Sequence, residues 1–301
     1  MDLRRLEVFV KVAELGGFSR AAEALGLTQP TVSEHVRALE ADLGVQLLDR
    51  LGRGAVTTPA GELLLGYARQ VLALVAEARQ AVDLFQGRMR GTLAVGGSTI
   101  PGEYVLPPLI GRFRAKYSEV TVCLRIGSSR QVCAWVDEGL VEVGLVGAPP
   151  AGRTLVGRAL MDDEMVVVVG PEHPWAGQPE VSLDELVAES LVVRERGSGS
   201  REALEQALAS LGRDLGAFRV VAEMGSTQAV KRAVRAGLGV AVVSRRAVED
   251  ECRAGLLSCV TVRDLRVSRS FYLVVHRDRS RSPLAQAFLA FLESESAPSP
   301  S

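Results

Sequence analysis

Gln29, Thr31, Ser33 and Arg37 fall along one predicted helix, and all four are side chains that bond nucleic acid. A glutamine meets adenine in a bidentate way, and an arginine meets guanine or phosphate. Thr31 and Ser33 suit phosphate oxygens. Pro30 stands in the first turn of the same helix, where its missing N–H is tolerated. A second set lies downstream. Ser98-Thr99, Ser128-Ser129, Ser198-Gly199-Ser200 and Ser226-Thr227 each precede a predicted helix. A helix N-terminus offers free N–H groups and a partial positive charge, and hydroxyls add neutral donors. Four such junctions converging on a cleft suit a small anion. Singly, each is also an ordinary N-cap, because Ser and Thr are favoured there. Arg125 and Arg196 are further candidates for anion pairing, although a solvated arginine is the default.

The first set needs a scaffold. Leu3, Leu6, Phe9, Val10 and Ala13 repeat at three and four, which predicts an amphipathic helix over 2–15, stopped by Gly16-Gly17. Ser19 is expected to cap a short second helix that ends at Gly26, and Thr28 to cap a third. In the third helix Val32, Val36, Leu39 and Leu43 form the apolar stripe. Pro30, Glu34 and Arg37 face away, flanked by Thr31 and Ser33, with Gln29 at the exposed end. This is a helix-turn-helix order, and its third helix fits the major groove. Residues 45–58 hold two extended pieces around Gly52–Gly54. Arg50 and Arg53 sit at that tip, as in a wing that grips the DNA backbone. Residues 1–61 carry seven basic and eight acidic side chains. Most DNA-binding domains are visibly basic, so a plain packing module is the rival reading.

Leu6-Glu7-Val8-Phe9, Gly17-Phe18-Ser19-Arg20-Ala21-Ala22, Leu27-Thr28-Gln29-Pro30-Thr31-Val32-Ser33 and Leu39-Glu40 resemble the DNA-binding domain of LysR-type transcriptional regulators. Leu47-Leu48-Asp49-Arg50 and Thr57-Thr58-Pro59-Ala60-Gly61 do so too. The resemblance extends over the whole chain in order and length. It implies an all-α winged helix-turn-helix domain and places Gln29, Pro30, Thr31, Ser33 and Arg37 near DNA. Glu34 departs from it, since a basic or neutral residue there would suit phosphate better.

Residues 60–87 contain no proline, and Leu64, Ala68, Val71, Val75, Ala78, Val82 and Phe85 alternate by four and three. That is an apolar seam of about three heptads, which predicts a long helix seeking a partner helix. Packing on its own domain is the alternative. Dimerisation suits two-fold DNA half-sites, and the resembled family uses a linker helix in this place.

Beyond Thr92, short β-rich runs alternate with helical stretches, which predicts α/β structure with largely parallel sheets. Ligands of such sheets bind beyond strand C-termini. The family implies an effector region of two lobes, like type 2 periplasmic binding proteins, with the effector in the cleft. The expected division is 1–58 for the winged domain, 59–88 for the linker helix, 89–161 with 267–293 for the first lobe, and 162–266 for the second. Residues 294–301 are expected to be a disordered tail. Gly97-Ser98-Thr99-Ile100-Pro101-Gly102-Glu103-Tyr104-Val105-Leu106-Pro107 looks most like the branch that includes regulators of sulfite reduction and selenium metabolism. His173, in Pro171-Glu172-His173-Pro174, reads as a structural turn residue.

Composition excludes other classes. The 301 residues carry a net charge of -1, so no global field draws the chain to DNA or membrane. No apolar run approaches the ~18–20 residues of a membrane span. Charged residues at 2, 4, 5, 7 and 11 interrupt any signal-peptide core, which predicts a cytoplasmic protein. A P-loop needs Gly-Lys-Ser/Thr, and no lysine here follows a glycine. No Gly-x-Ser-x-Gly elbow is present. The four cysteines and three histidines make no zinc set. The expectation is therefore a regulator and not an enzyme, without cofactor or metal. Its expected partners are double-stranded DNA, a small effector, further copies of itself as a dimer or tetramer, and RNA polymerase, with no membrane. A solute-binding protein of the same two-lobed type would instead need a signal peptide and no helix-turn-helix.

Overall fold

The computed structural model describes residues 2–51, 54–86 and 88–296; the side chains of Arg50, Leu51 and Ser296 lie outside that description. The chain forms two compact units, Met1–Arg88 with Glu138–Leu140, and Met89–Asp137 with Val141–Ser301.

In the first unit, α1 (Leu3–Leu15) starts at Asp2, whose carboxylate accepts the Arg5 N–H at 2.9 Å, and stops at Gly16 in the left-handed conformation. α2 (Phe18–Leu25) begins before the expected cap: Gly17 precedes it without a side-chain bond, and Ser19 lies inside the helix. The buried Phe18 ring draws the helix start inward. α3 (Gln29–Leu43) is capped by Thr28 and takes Pro30 in its first turn. Its stripe is buried at Val32, Val36 and Leu39, whereas Leu43 is exposed. β1 (Leu48–Leu51) and β2 (Gly54–Thr57) pair as an antiparallel hairpin. The Ala55 N–H donates to the Gly16 carbonyl at 3.0 Å, which ties the hairpin to the end of α1. α4 (Pro59–Phe85) is capped by Thr58 and runs for 27 residues. Phe9, Val36, Leu39, Leu47 and Ala68 share one core. Burying a large apolar side chain is worth about 1.5–3 kcal/mol, so these few contacts hold the three helices and hairpin together.

The second unit opens with β3 (Gly91–Ser98), a π-helical turn over Pro101–Val105, α5 (Leu106–Lys116), β4 (Val120–Gly127), α6 (Ser129–Glu138) and β5 (Val143–Val146). The three strands pair in parallel with β3 central. β6 (Leu155–Val169) then leaves this lobe. The second lobe holds β7 (Glu180–Val181), α7 (Leu183–Ala188), β8 (Ser190–Arg194), α8 (Gly199–Ser210), β9 (Arg219–Met224), α9 (Thr227–Arg235), β10 (Ala241–Ser244), α10 (Glu249–Arg253) and β11 (Ser258–Val262). β12 (Val267–His276) returns antiparallel to β6, with an irregularity between Phe271 and Tyr272, and α11 (Pro283–Ser296) completes the first lobe's core.

The expectation of largely parallel sheets needs correction. β12 is antiparallel to both β5 and β6, and β10 and β11 are antiparallel to β6. A chain that crosses to a second lobe and comes back must run in opposite directions, so the two crossing strands cannot be parallel. The first half of β6 was not evident in sequence because Asp162, Asp163 and Glu164 interrupt its apolar pattern. α11 continues to Ser296, three residues into the segment expected to be disordered; residues 297–301 lie outside the described residues.

Candidate functional site

Gln29, Pro30, Glu34 and Arg37 are exposed along α3, and Thr31 is half-buried. The Thr28 and Thr31 hydroxyls lie 2.9 Å apart, so Thr31 serves the cap as well as the surface. Ser33 is buried, contrary to its expected place on the exposed flank. It adjoins Val32 on the inward side of α3, and its hydroxyl is not presented to a phosphate. The Arg50 side chain and the whole of Arg53 lie outside the described residues; the Arg50 backbone pairs with Ala55 in the hairpin.

The acidic count of this unit finds a structural explanation. Glu40 accepts the Leu47 and Leu48 N–H groups at 2.8 and 3.2 Å and fixes the loop after α3. Asp42 pairs with Arg5 and Glu7 with Arg4. Glu40 therefore has a structural role, Asp42 and Glu7 sit in surface ion pairs, and Glu34 is exposed beside Pro30 and Arg37 on the outward face of α3.

Along α4 the predicted seam divides. Leu64 packs against the winged-domain core, Ala68 is buried within it, and Val75 lines a groove with α1. Val71, Val82 and Phe85 are exposed, Phe85 at 94%, as is Ala78. Leu63, Tyr67 and Leu74, which the four-three alternation did not include, are exposed as well. The outward stripe thus begins one residue before the predicted seam, because the helix must first satisfy its own domain.

In the second unit Ser98, Thr99, Ser128, Ser129 and Ser198 line one cavity between the lobes, with a volume of about 30 Å³. Gly97 makes the approach feasible: a Cβ there would lie 2.5 Å from the Gly102 Cα, so only glycine lets the turn fold onto the end of β3. The Ser98 hydroxyl accepts the Gly147 N–H at 3.1 Å. Ser128 caps α6 by accepting the Gln131 N–H at 3.2 Å. Ser198 begins α8 but makes no capping bond with its side chain. Ser226 and Thr227 are not among the lining residues. Ser226 caps α9, and the buried Thr227 hydroxyl accepts from Arg194 Nη1 at 2.6 Å.

Arg196 is exposed and does not line the cavity. Two other arginines do, Arg194 at the end of β8 and Arg269 on β12. Arg194 is buried and donates twice to Glu195, at 2.8 and 2.7 Å. Burial raises the Glu195 pKa, but the Arg194 hydrogen bonds outweigh it and hold the carboxyl below its ordinary value. Burial lowers the Arg269 pKa against the pull of Asp163. β8 ends at Arg194, which leaves Arg196 in the exposed loop beyond it; nothing local points to Arg269.

The remaining candidates are structural. His173 Nδ1 accepts the Trp175 N–H at 3.1 Å within a turn. The four cysteines are free thiols. Burial and the neighbouring Cys259 thiol push Cys252 up to about 12. Among the described residues no group of three or more His, Cys, Asp or Glu could hold a metal, and no helix is long and apolar enough to cross a membrane.

Comparison with known proteins agrees with this architecture. Residues 3–62 match the bacterial regulatory helix-turn-helix protein family of lysR type, and residues 86–297 match the LysR substrate binding domain. The RuBisCO operon transcriptional regulator of Allochromatium vinosum is 36% identical over 298 residues, covering 99% of this chain and 97% of that one. The crystal structure of CbnR, a LysR family transcriptional regulator, shares the fold with a TM-score of 0.72 at 22% identity, covering 99% of this chain and 100% of that one. The regulatory domain of CcmR from Synechocystis PCC6803, solved in complex with 2-PG, gives a TM-score of 0.63 at 26% identity over 70% of this chain and 100% of that one. A helix-turn-helix unit joined to a two-lobed effector domain, matched to one family along nearly its whole length, makes this chain a member of the LysR-type DNA-binding transcriptional regulators.

Proposed function

We propose that the protein reads DNA through α3 and the β1–β2 wing and answers to a small anion bound between its two lobes. The observation that carries the anion reading is the meeting of hydroxyls from Ser98, Thr99, Ser128, Ser129 and Ser198 with two buried guanidiniums in one cavity. At about 30 Å³ the cavity is little larger than the roughly 10–15 Å³ that one water needs, which favours a compact ligand. The complex of the CcmR domain with 2-PG supports a small effector in this type of domain. The likeness of residues 97–107 to the sulfite and selenium branch supports an inorganic or carboxylate anion.

On the DNA side, Gln29 and Arg37 contact base edges or phosphate, Pro30 and Thr31 shape the helix end, and Arg50 and Arg53 grip the backbone. Ser33 supports α3 from within. The working division is 1–58 for DNA, 59–88 for oligomerisation, and the remainder for the effector. The exposed stripe of α4 joins a second copy, giving a dimer or tetramer on two-fold half-sites. The protein acts in the cytoplasm, with RNA polymerase as a further partner. Anion binding shifts lobe closure only through different affinity for the two states, and thereby the spacing of paired DNA-binding domains.

Footprinting of genomic fragments with and without an anion panel tests this reading. Discrete two-fold half-sites whose protection changes with one anion are expected. The double variant Ser98→Ala, Thr99→Ala should select the same fragments and lose the anion response. Sequence-blind binding, or an unchanged anion response in that variant, defeats the reading.

A further inference from the structure

Arg269 lies on β12 and Asp163 on β6, the two strands that cross between the lobes. Arg269 Nε donates to Asp163 Oδ2 at 3.0 Å, and the other carboxylate oxygen accepts from the Ser244 hydroxyl at 2.6 Å. The Asp163 side chain is fully buried and that of Arg269 is 9% exposed. Arg269 lines the cavity, and its Nη2 is buried with no hydrogen-bond partner. Buried donors are almost always bonded, so an orphaned guanidinium nitrogen beside a cavity marks a place for an acceptor.

Backbone from both lobes closes on the same guanidinium. A Cβ at Gly147, after β5, would stand 3.1 Å from Arg269 Nη1, and one at Gly199, the first residue of α8, 3.0 Å from it. A glycine from each lobe therefore leaves room for the planar head at the lobe junction. The twelve-residue α8 also begins in this cavity, and the uncommitted Ser198 hydroxyl stands at its start. Arg194 differs from Arg269, since Glu195 and Thr227 already take its donors.

We infer that Arg269 is the residue that reads ligand charge in the cleft, and that it takes a compact oxyanion through Nη2 while Asp163 holds its other edge. The ligand class is a carboxylate or a tetrahedral phosphoryl or sulfuryl group. This rests on the cleft being the effector site. The physical consequence is coupling: an anion on Nη2 joins the ligand directly to the ion pair that bridges the crossing strands, so occupancy is felt where the lobes meet. Its partner lies 106 residues away, so no local sequence pattern marks Arg269.

The test uses the full-length protein and calorimetric titration with sodium sulfate, inorganic phosphate and sodium acetate at constant ionic strength. The first two probe tetrahedral oxyanions and the third a carboxylate. Loss of a charge-assisted hydrogen bond is worth about tenfold or more in affinity, so R269Q should weaken any probe that binds the wild type by at least that factor. R269K keeps the charge without the fork and should weaken binding by about threefold or more. It carries the test if R269Q fails to fold by circular dichroism. Asp163→Asn should still bind the probe but lose the anion-dependent change in the DNA footprint. Wild-type affinity in R269Q or R269K, with loss in the Ser98→Ala, Thr99→Ala variant, overturns the role of Arg269 and leaves the cleft reading standing. Binding of no probe to the wild type, or binding unaffected by all of these variants, overturns both.

Discussion

Lys231 on α9 donates to the hydroxyl of Tyr104, in the turn before α5, at 3.2 Å, and its ammonium stands 5.3 Å from the centre of the Tyr104 ring. The two residues belong to different lobes. Gln228 adds a second donor to the same hydroxyl at 2.9 Å. Lys231 is almost fully buried and also bonds Glu251 and the Ala247 carbonyl, at 2.5 and 2.7 Å. This is a polar latch across the cleft. Each end follows a hydroxyl junction: Tyr104 comes five residues after Thr99, and Lys231 four after Thr227.

Tyr104→Phe removes the acceptor but leaves Lys231 its Glu251 and Ala247 partners. Lobe packing is expected to loosen while the second lobe keeps its stability. Hydrogen bonds to charged groups are worth about 1.5–3 kcal/mol, so anion affinity should fall by about tenfold. Titration calorimetry reads the affinity. A double-mutant cycle with Lys231→Met reads the coupling, and strictly additive effects would remove the latch from the mechanism.

The latch carries a pH signature. Burial lowers the Lys231 pKa, but its hydrogen bonds to Glu251 and Tyr104 outweigh this and leave it raised; burial raises that of Tyr104. Groups with raised folded pKa values contribute stability below their unfolded values and lose it as pH rises through the folded ones. The stability gap between wild type and Tyr104→Phe should therefore be constant to about pH 10 and shrink above it. Thermal melts from pH 8 to 11.5 check this, and a gap that widens with alkali would contradict it.

On α3, Gln29→Ala should cost about 1–3 kcal/mol at one base position and relax specificity there. Glu34→Gln removes a like charge near phosphate and should strengthen binding to all sequences by a similar, small factor. Ser33→Ala should change thermal stability more than base preference, because Ser33 is buried. Binding selections with randomised half-sites at fixed salt separate the three outcomes.

On α4, Leu74→Glu places a charge in the exposed stripe and should dissociate the oligomer with little effect on the melting of the winged domain. Leu65→Ala, in the core, should do the reverse, with about 2–5 kcal/mol lost. Light scattering coupled to size exclusion gives the oligomeric state, and calorimetry gives the domain's melting.

Much was decided locally, within reach of one helical turn. Thr28 and Thr58 cap their helices, Gly16, Gly26 and Gly44 end theirs, and Val32, Val36 and Leu39 mark the inward side of α3. These depend on neighbours three or four residues apart, so the sequence alone determined the winged unit, the long linker helix and the hydroxyl-bearing helix starts. Other features waited for the tertiary structure. Ser33 sits at the edge of the apolar stripe, and only the packing of α1 and α2 against α3 decides that it is buried. Leu64 and Ala68 read as one seam with Val82 and Phe85 until the winged domain claims the first two. The sequence singles out Arg196, and only the tertiary structure shows that Arg194, the buried last residue of β8, is the one that lines the cavity. The charge at the centre of the cleft was not legible at all. Arg269 acquires its place from Asp163, Gly147 and Gly199, residues of distant segments that meet only when β6 and β12 cross side by side, and such long-range pairing leaves no periodicity along the chain.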